Sequence, residues 1–376
     1  MIYRKGLLRL FRENMRLAAG ERVLVFTDIP ARGVPAWSRQ HRCAREAAEV
    51  AAELGGLTTF VSYPPTGTAG AEPPPVLWAA CFGDAVVERL RAGGLLDRIL
   101  AKRATAADLT AAGRIVRRSK EPPRVVIGLA RYSTTHTRFR GFVTGVCAAR
   151  YASMPLFDPL MFSGPMAVDW RAVARRTRSC AAVLDRATRV TVRGANGTHL
   201  RMDVAGRTCH PDDGLLHEPG KYGNLPAGEA FLAPLEGTTQ GVLVVEWSQT
   251  ERLRRPVRLW VRDGLLHEVE GEGPAADQLR RKIRESAANA NVAELGVGTN
   301  PGAKRPDNIL ESEKILGTIH VAFGDNKGFG GKVSTPFHQD YVVFRASLEA
   351  ELPGGKRKEI LRDGRWVLGP APRTKP

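Results

Sequence analysis

The chain has 376 residues, 43% of them hydrophobic, with a formal net charge of +17. That length suggests about two domains, and the composition is that of a globular protein able to build sizeable cores. No apolar run reaches the roughly 18 residues of a membrane span, and no secretory leader is recognisable, so a cytoplasmic protein without a membrane partner is expected.

The opening segment, Met1 to Phe11, is basic and apolar and reads as an amphipathic first helix. Val23-Leu24-Val25-Phe26-Thr27-Asp28 is a short apolar run ending in a carboxylate, the pattern of a buried parallel strand. Residues 44–54 are alanine-rich and free of Gly and Pro, which predicts a helix. Gly55-Gly56 ends it, and Thr58 to Tyr63 restarts as a strand. Val125 to Leu129 predicts a further buried strand. The hydroxyl-rich loop after it, Tyr132 to Thr137, would face a ligand cleft or cap a helix.

Near Arg186 the pattern changes. Residues 189–194 and 199–204 flank Asn196-Gly197 as a β-hairpin. Residues 241–246, 257–261 and 265–269 add strands, and a helix is predicted over 275–290. The expected architecture is therefore an α/β domain with an open, mostly parallel sheet over residues 1–186, then a β-rich α+β domain over 187–376. The last residues of the basic, proline-containing tail are expected to fray.

The five cysteines, Cys43, Cys81, Cys147, Cys180 and Cys209, are scattered singly and predict buried apolar residues rather than a disulfide framework. Arginines are spread along the chain without an aromatic-interleaved basic motif. A generic basic surface is expected, not a nucleic-acid partner.

Most of the chemistry gathers near the C-terminus. His320 lies in the apolar run Ile315 to Phe323, and His338-Gln339-Asp340 follows a glycine-rich loop. The strand period places His338 and Asp340 on one face, able to share a ligand. Glu229 and Glu294 sit upstream in Pro226-Ala227-Gly228-Glu229 and Ala293-Glu294-Leu295-Gly296. The stretch around Glu294 also reads as a helix end. Two imidazoles and three carboxylates are donors enough for two metal ions.

The ordered fragments Gly223 to Pro234, Glu294 to Pro301, Asn308 to His320 and His338 to Asp340 resemble the metallo-aminopeptidase family of aminopeptidases T and S, most strongly over residues 220–345. The resemblance implies a homodimer removing N-terminal residues from peptides. It also implies two divalent ions (zinc, cobalt or manganese) held by Glu229, Glu294, His320, His338 and Asp340. Glu229 and Glu294 would bridge the ions and activate water. Lys327 would polarise the scissile carbonyl, and Glu236 or Asp325 would take the substrate amine. The family places a tyrosine after the first metal histidine, where this chain has Gly324 to Gly331 and no tyrosine. Tyr341 is expected on the opposite strand face. The same fragments are similar to 2,5-dihydroxypyridine ring-cleaving dioxygenases. That alternative implies one ferrous ion on His320, His338 and Asp340, with a small-molecule substrate. A specialised non-peptidase descendant is the third reading.

Overall fold

A computed structural model describes residues 3–369. The expected fraying of the tail falls on residues outside that range, as do the first two residues of the amphipathic opening. Contacts divide the chain into two units. The first runs to Ala167 and takes in Gly214–Pro226; the second comprises Val168–Asp213 and continues from Ala227. The expected division at 186/187 lies later than this. Helix Trp170–Leu184, started by the Asp169 carboxylate accepting from the N–H groups of Arg171 and Ala172, buries Cys180, Ala181 and Leu184 in the core of the second unit.

The first unit is an α/β layer. Its five strands run parallel in the order Leu57–Tyr63, Arg22–Asp28, Val125–Gly128, Arg150–Ser153 and Tyr222–Asn224. The central strands are continuous apolar runs because helices cover the sheet. One covering helix spans Pro35–Glu53, with Pro35 in its first turn and Trp37, Cys43, Ala47 and Val50 buried. It starts earlier than the alanine-rich stretch: its first turns bury Trp37 and Gln40, whose Nε2 donates to the Met154 carbonyl at 3.0 Å, and carry Arg42 on the outer side. Asp28 is structural: its carboxylate accepts from Trp37 Nε1 at 2.7 Å and from the Arg131 N–H at 3.0 Å. The hydroxyl-rich loop includes a helix cap, Thr137 Oγ1 accepting from the Arg140 N–H. Among the described residues, no helix is long and apolar enough to cross a membrane.

The second unit holds two antiparallel sheets. The larger has eight strands and contains the predicted hairpin, Arg189–Gly194 paired with His199–Asp203, turned at Gly197 with φ of 97°. The smaller has five, in the order His338–Val343, Ile319–Gly324, Val292–Gly298, Glu229–Leu232 and His210–Asp212. Both contribute to one apolar core. The predicted helix at 275–290 resolves into an α-helix, Pro274–Glu285, and a 3-10 turn, Ala287–Ala290. Glu294 therefore stands mid-strand, not at a helix end. All five cysteines are free and buried.

Candidate metal centre

The smaller sheet divides its residues by alternation. Leu232, Leu295, Val297, Ile319, Val321 and Phe323 enter the core, and Tyr341 joins them, so it faces away from the donors. Residues directly opposite in an antiparallel ladder share a face. The register pairs Gly298 with Glu229, Glu294 and Asp340 with Ala322, Gly296 with His320, and His338 with Gly324. Glu229, Glu294, His320, His338 and Asp340 thus stand on the other face, with Gly296, Gly298, Ala322 and Gly324 between them. The small residues are a requirement. A Cβ on Gly296 would lie 1.9 Å from His320 Nε2 and 2.1 Å from its Cε1, so only glycine leaves room for that imidazole.

The five donors converge. His320 Nε2 is 3.2 Å from Glu294 Oε1 and 3.3 Å from Glu229 Oε2. His338 Nε2 is 3.5 Å from Glu294 Oε2 and 3.6 Å from Asp340 Oδ1. Three overlapping trios have donor atoms within 4.8 Å of one another: Glu229, Glu294 and His320; Glu294, His338 and Asp340; and Glu313, His320 and Asp340. The His338 and Asp340 side chains are 21% and 17% exposed, whereas His320 is 1% exposed, so the accessible edge lies at the former pair.

Two members of the cluster were missed in the sequence. Lys314 is fully buried and donates from Nζ to Glu229 Oε1 at 2.8 Å and to the Glu313 carboxylate. Glu313 lines the same space. Nothing in their spacing marks them, because they follow a four-residue helical turn, Ile309–Ser312, rather than a strand.

Burial and charge compete throughout the cluster. Burial pushes Glu313 up to about 8; the Lys314 ammonium opposes the rise, and the Glu229 and Asp340 charges add to it. Burial also opposes charge on Glu294, but hydrogen bonds from His320 and His338 prevail and hold it well below the carboxylate range. Burial would lower His320; Glu294, Glu229 and Asp340 outweigh it and raise it to about 9. His338 is raised in the same way, chiefly by Asp340 once burial is overcome.

The loop between the last two donor-bearing strands is braced from beneath. His338 Nδ1 donates to the Asp325 carbonyl at 2.8 Å, which leaves Nε2 for a ligand. Glu236 accepts from Asn326 Nδ2 at 3.0 Å, from the Lys332 N–H at 2.8 Å, and from Arg207. Glu236 is therefore committed to the loop and is no spare carboxylate. The Asp325 carboxylate accepts from the Thr335 N–H at 3.2 Å. Lys327 is exposed on this loop, outside the donor trios. Two phenylalanines flank the donors: Phe329 lies edge-on to the His338 ring at 6.0 Å and to Phe231 at 5.6 Å.

The cluster fits a metal ion. Donor atoms about 2.1 Å from a common ion lie about 3.0–3.4 Å apart, close to the 3.2–3.6 Å separations here. Glu229 Oε2 and His320 Nδ1 are also buried without a hydrogen-bond partner, an expensive arrangement that a cation in the cluster would relieve on the carboxylate side.

The family model for NicX, 2,5-dihydroxypyridine 5,6-dioxygenase, matches residues 167–365. A curated relative, the 2,5-dihydroxypyridine 5,6-dioxygenase of Pseudomonas putida KT2440, is 24% identical over 182 residues, which cover 44% of this chain and 52% of that protein. The match thus spans about half the relative's length. Among solved structures, 2,5-dihydroxypyridine dioxygenase from the same organism superposes with a TM-score of 0.70 at 18% identity, covering 98% of this chain and 97% of that one. Wild-type AmpT from Thermus thermophilus superposes with a TM-score of 0.61 at 18% identity, covering 97% and 99%. At these identities the superpositions establish the shared fold. The aminopeptidase expectation is corrected: family model and curated relative both carry the dioxygenase description, so hydrolase and proteolytic activity, with zinc or cobalt as its ions, lose their support. The resemblance misled because this fold superposes on both neighbours, so the scaffold alone does not separate them.

Proposed function

We propose that this chain, which belongs to the NicX (2,5-dihydroxypyridine 5,6-dioxygenase) family, is a ferrous-iron dioxygenase that opens a dihydroxylated pyridine-type ring. One observation carries the reading. The family match contains the whole donor cluster, in which Asp340 groups with His338 in one trio and with His320 in another. Two imidazoles and one carboxylate form the set that holds non-haem ferrous iron with positions left open. Bound there, the iron would supply the electron transfer between ring and dioxygen that no side chain can provide.

The chain's own residues do the rest. The Asp325 carbonyl fixes the His338 tautomer and aims Nε2 inward. Asp340 and His338 form the accessible edge, so a ring enters on their side. Phe231 and Phe329 offer apolar flanks to a planar substrate. Glu294 stands between the two imidazoles, its oxygens 3.2 Å from His320 Nε2 and 3.5 Å from His338 Nε2, and so helps to orient both.

The test is oxygen uptake by protein reconstituted anaerobically with ferrous iron and given 2,5-dihydroxypyridine. One dioxygen should disappear per ring, with both atoms of labelled dioxygen in the product and no uptake after chelation. Iron-loaded protein that consumes no oxygen with any of a panel of dihydroxylated pyridines refutes the proposal.

A further inference from the structure

We propose that Lys314 is a built-in cation that restricts this centre to a single divalent metal ion. The inference deepens the reading above and rests on it for the ring chemistry alone.

The donor set by itself would accommodate two ions. Glu294 belongs to two of the three trios, as a carboxylate shared between neighbouring ions does. Paired metal sites hold their ions about 3.5–4 Å apart with such bridges. Lys314 alters that balance. Its side chain is 0% exposed, and its ammonium donates to Glu229 Oε1 at 2.8 Å and to Glu313. The other oxygen of Glu229 is 3.3 Å from His320 Nε2. Glu229 therefore already spans from a cation to the imidazole, one oxygen each, in the manner of a carboxylate linking two metals.

The lysine cannot easily be displaced. Its carbonyl accepts from the Asn300 N–H at 2.9 Å, and its own N–H donates to the Glu311 carbonyl at 3.0 Å. An ammonium in a dry interior persists only with close anionic partners, and here it has two. Charge favours one ion over two. Glu229, Glu294 and Asp340 set three negative charges, and Glu313 at most a fourth, against this one positive charge. A single divalent ion, with both imidazoles neutral, brings the cluster to neutrality or one charge short of it. A second would make it net positive in a buried space, beside an ammonium that repels it. Replacing Lys314 by a neutral side chain leaves a deficit of at least one after the first ion and removes the ammonium that repels another.

Metal counting tests this without any ring substrate, so its outcome is separate from that of the oxygenase assay. Metal-free full-length protein is titrated anaerobically with Mn²⁺, and bound metal is measured by equilibrium dialysis with elemental analysis. Wild type should bind one ion per chain. Lys314→Met should bind two, its second site at least about a hundredfold tighter than any second binding by wild type, with the spectrum of a spin-coupled manganese pair. Lys314→Gln serves if the methionine variant does not fold. Two ions per wild-type chain overturn the inference, whatever the variants do. So does one ion per chain in a variant whose near-ultraviolet circular dichroism is native.

Discussion

Replacing Gly296 by alanine should empty the metal centre while leaving the fold. A Cβ there would stand 1.9 Å from His320 Nε2, and ordinary contact begins near 3.4 Å. The imidazole must retreat by about 1.5 Å, whereas metal–ligand distances tolerate about 0.2 Å. His320 is therefore lost as a ligand, and affinity should fall by more than the ~10–100-fold that follows from disturbing a ligand's hydrogen-bond partner. The folding cost is smaller. Overpacking costs about 1–3 kcal/mol, and removing a strand glycine returns about 0.5–1 kcal/mol. The assay pairs a chelator-competition titration of ferrous iron or Mn²⁺ with thermal unfolding of the metal-free protein. Wild-type affinity in a folded Gly296→Ala protein would refute the placement of His320 among the ligands.

The remaining expectations concern the same sheet. His338→Ala and Asp340→Asn should each retain less than about a tenth of the wild-type metal after dialysis, with native near-ultraviolet circular dichroism; full metal content in either removes that residue from the centre. Metal affinity should rise with pH toward about 9, because the metal-free protein holds a proton on His320 that an ion must displace. Each displaced proton contributes about tenfold per pH unit, and proton release measured calorimetrically in buffers of different ionisation heat checks it. His320 is raised above its ordinary 6.5 in the fold, so its imidazolium stabilises the metal-free protein fully below that value and ceases to as pH climbs through about 9. The melting temperature gained on adding metal should therefore widen across that window; a constant gain contradicts the sign. Glu236→Ala leaves Asn326, Arg207 and the Lys332 N–H without their acceptor. It should cost about 1–3 kcal/mol in urea unfolding and speed proteolysis within 327–337; unchanged rates would mean the loop is held by other contacts.

Much of the donor set was readable because strands write themselves plainly. Ile319 to Phe323 and His338 to Val343 alternate or run apolar, and a histidine amid such residues stands out. The hairpin at Asn196-Gly197 was equally legible, since that turn needs positive φ. Lys314 was not: it is one of 56 basic residues, and its burial depends on the path from a short helical turn under the sheet. The role of Gly296 was hidden because it exists only in the register that sets it opposite His320. The strand carrying Glu294 looked like a helix end because a 3-10 turn of Ala-Ala-Asn-Ala precedes it. The reaction was hardest to read, since neither His nor Glu spacing distinguishes hydrolysis from oxygenation when one scaffold serves both.

Mounting every ligand on adjoining strands makes the grip on metal inseparable from the hydrophobic packing behind it. Most donors have a core residue beside them along the chain, as Ile319 and Val321 are for His320 and Tyr341 is for Asp340, so a change in the donors' backbone disturbs the protein's interior. Novelty in substrate or reaction must then arise at the periphery, in the braced glycine loop and the phenylalanines beside it, where side chains can be exchanged without unsettling the interior.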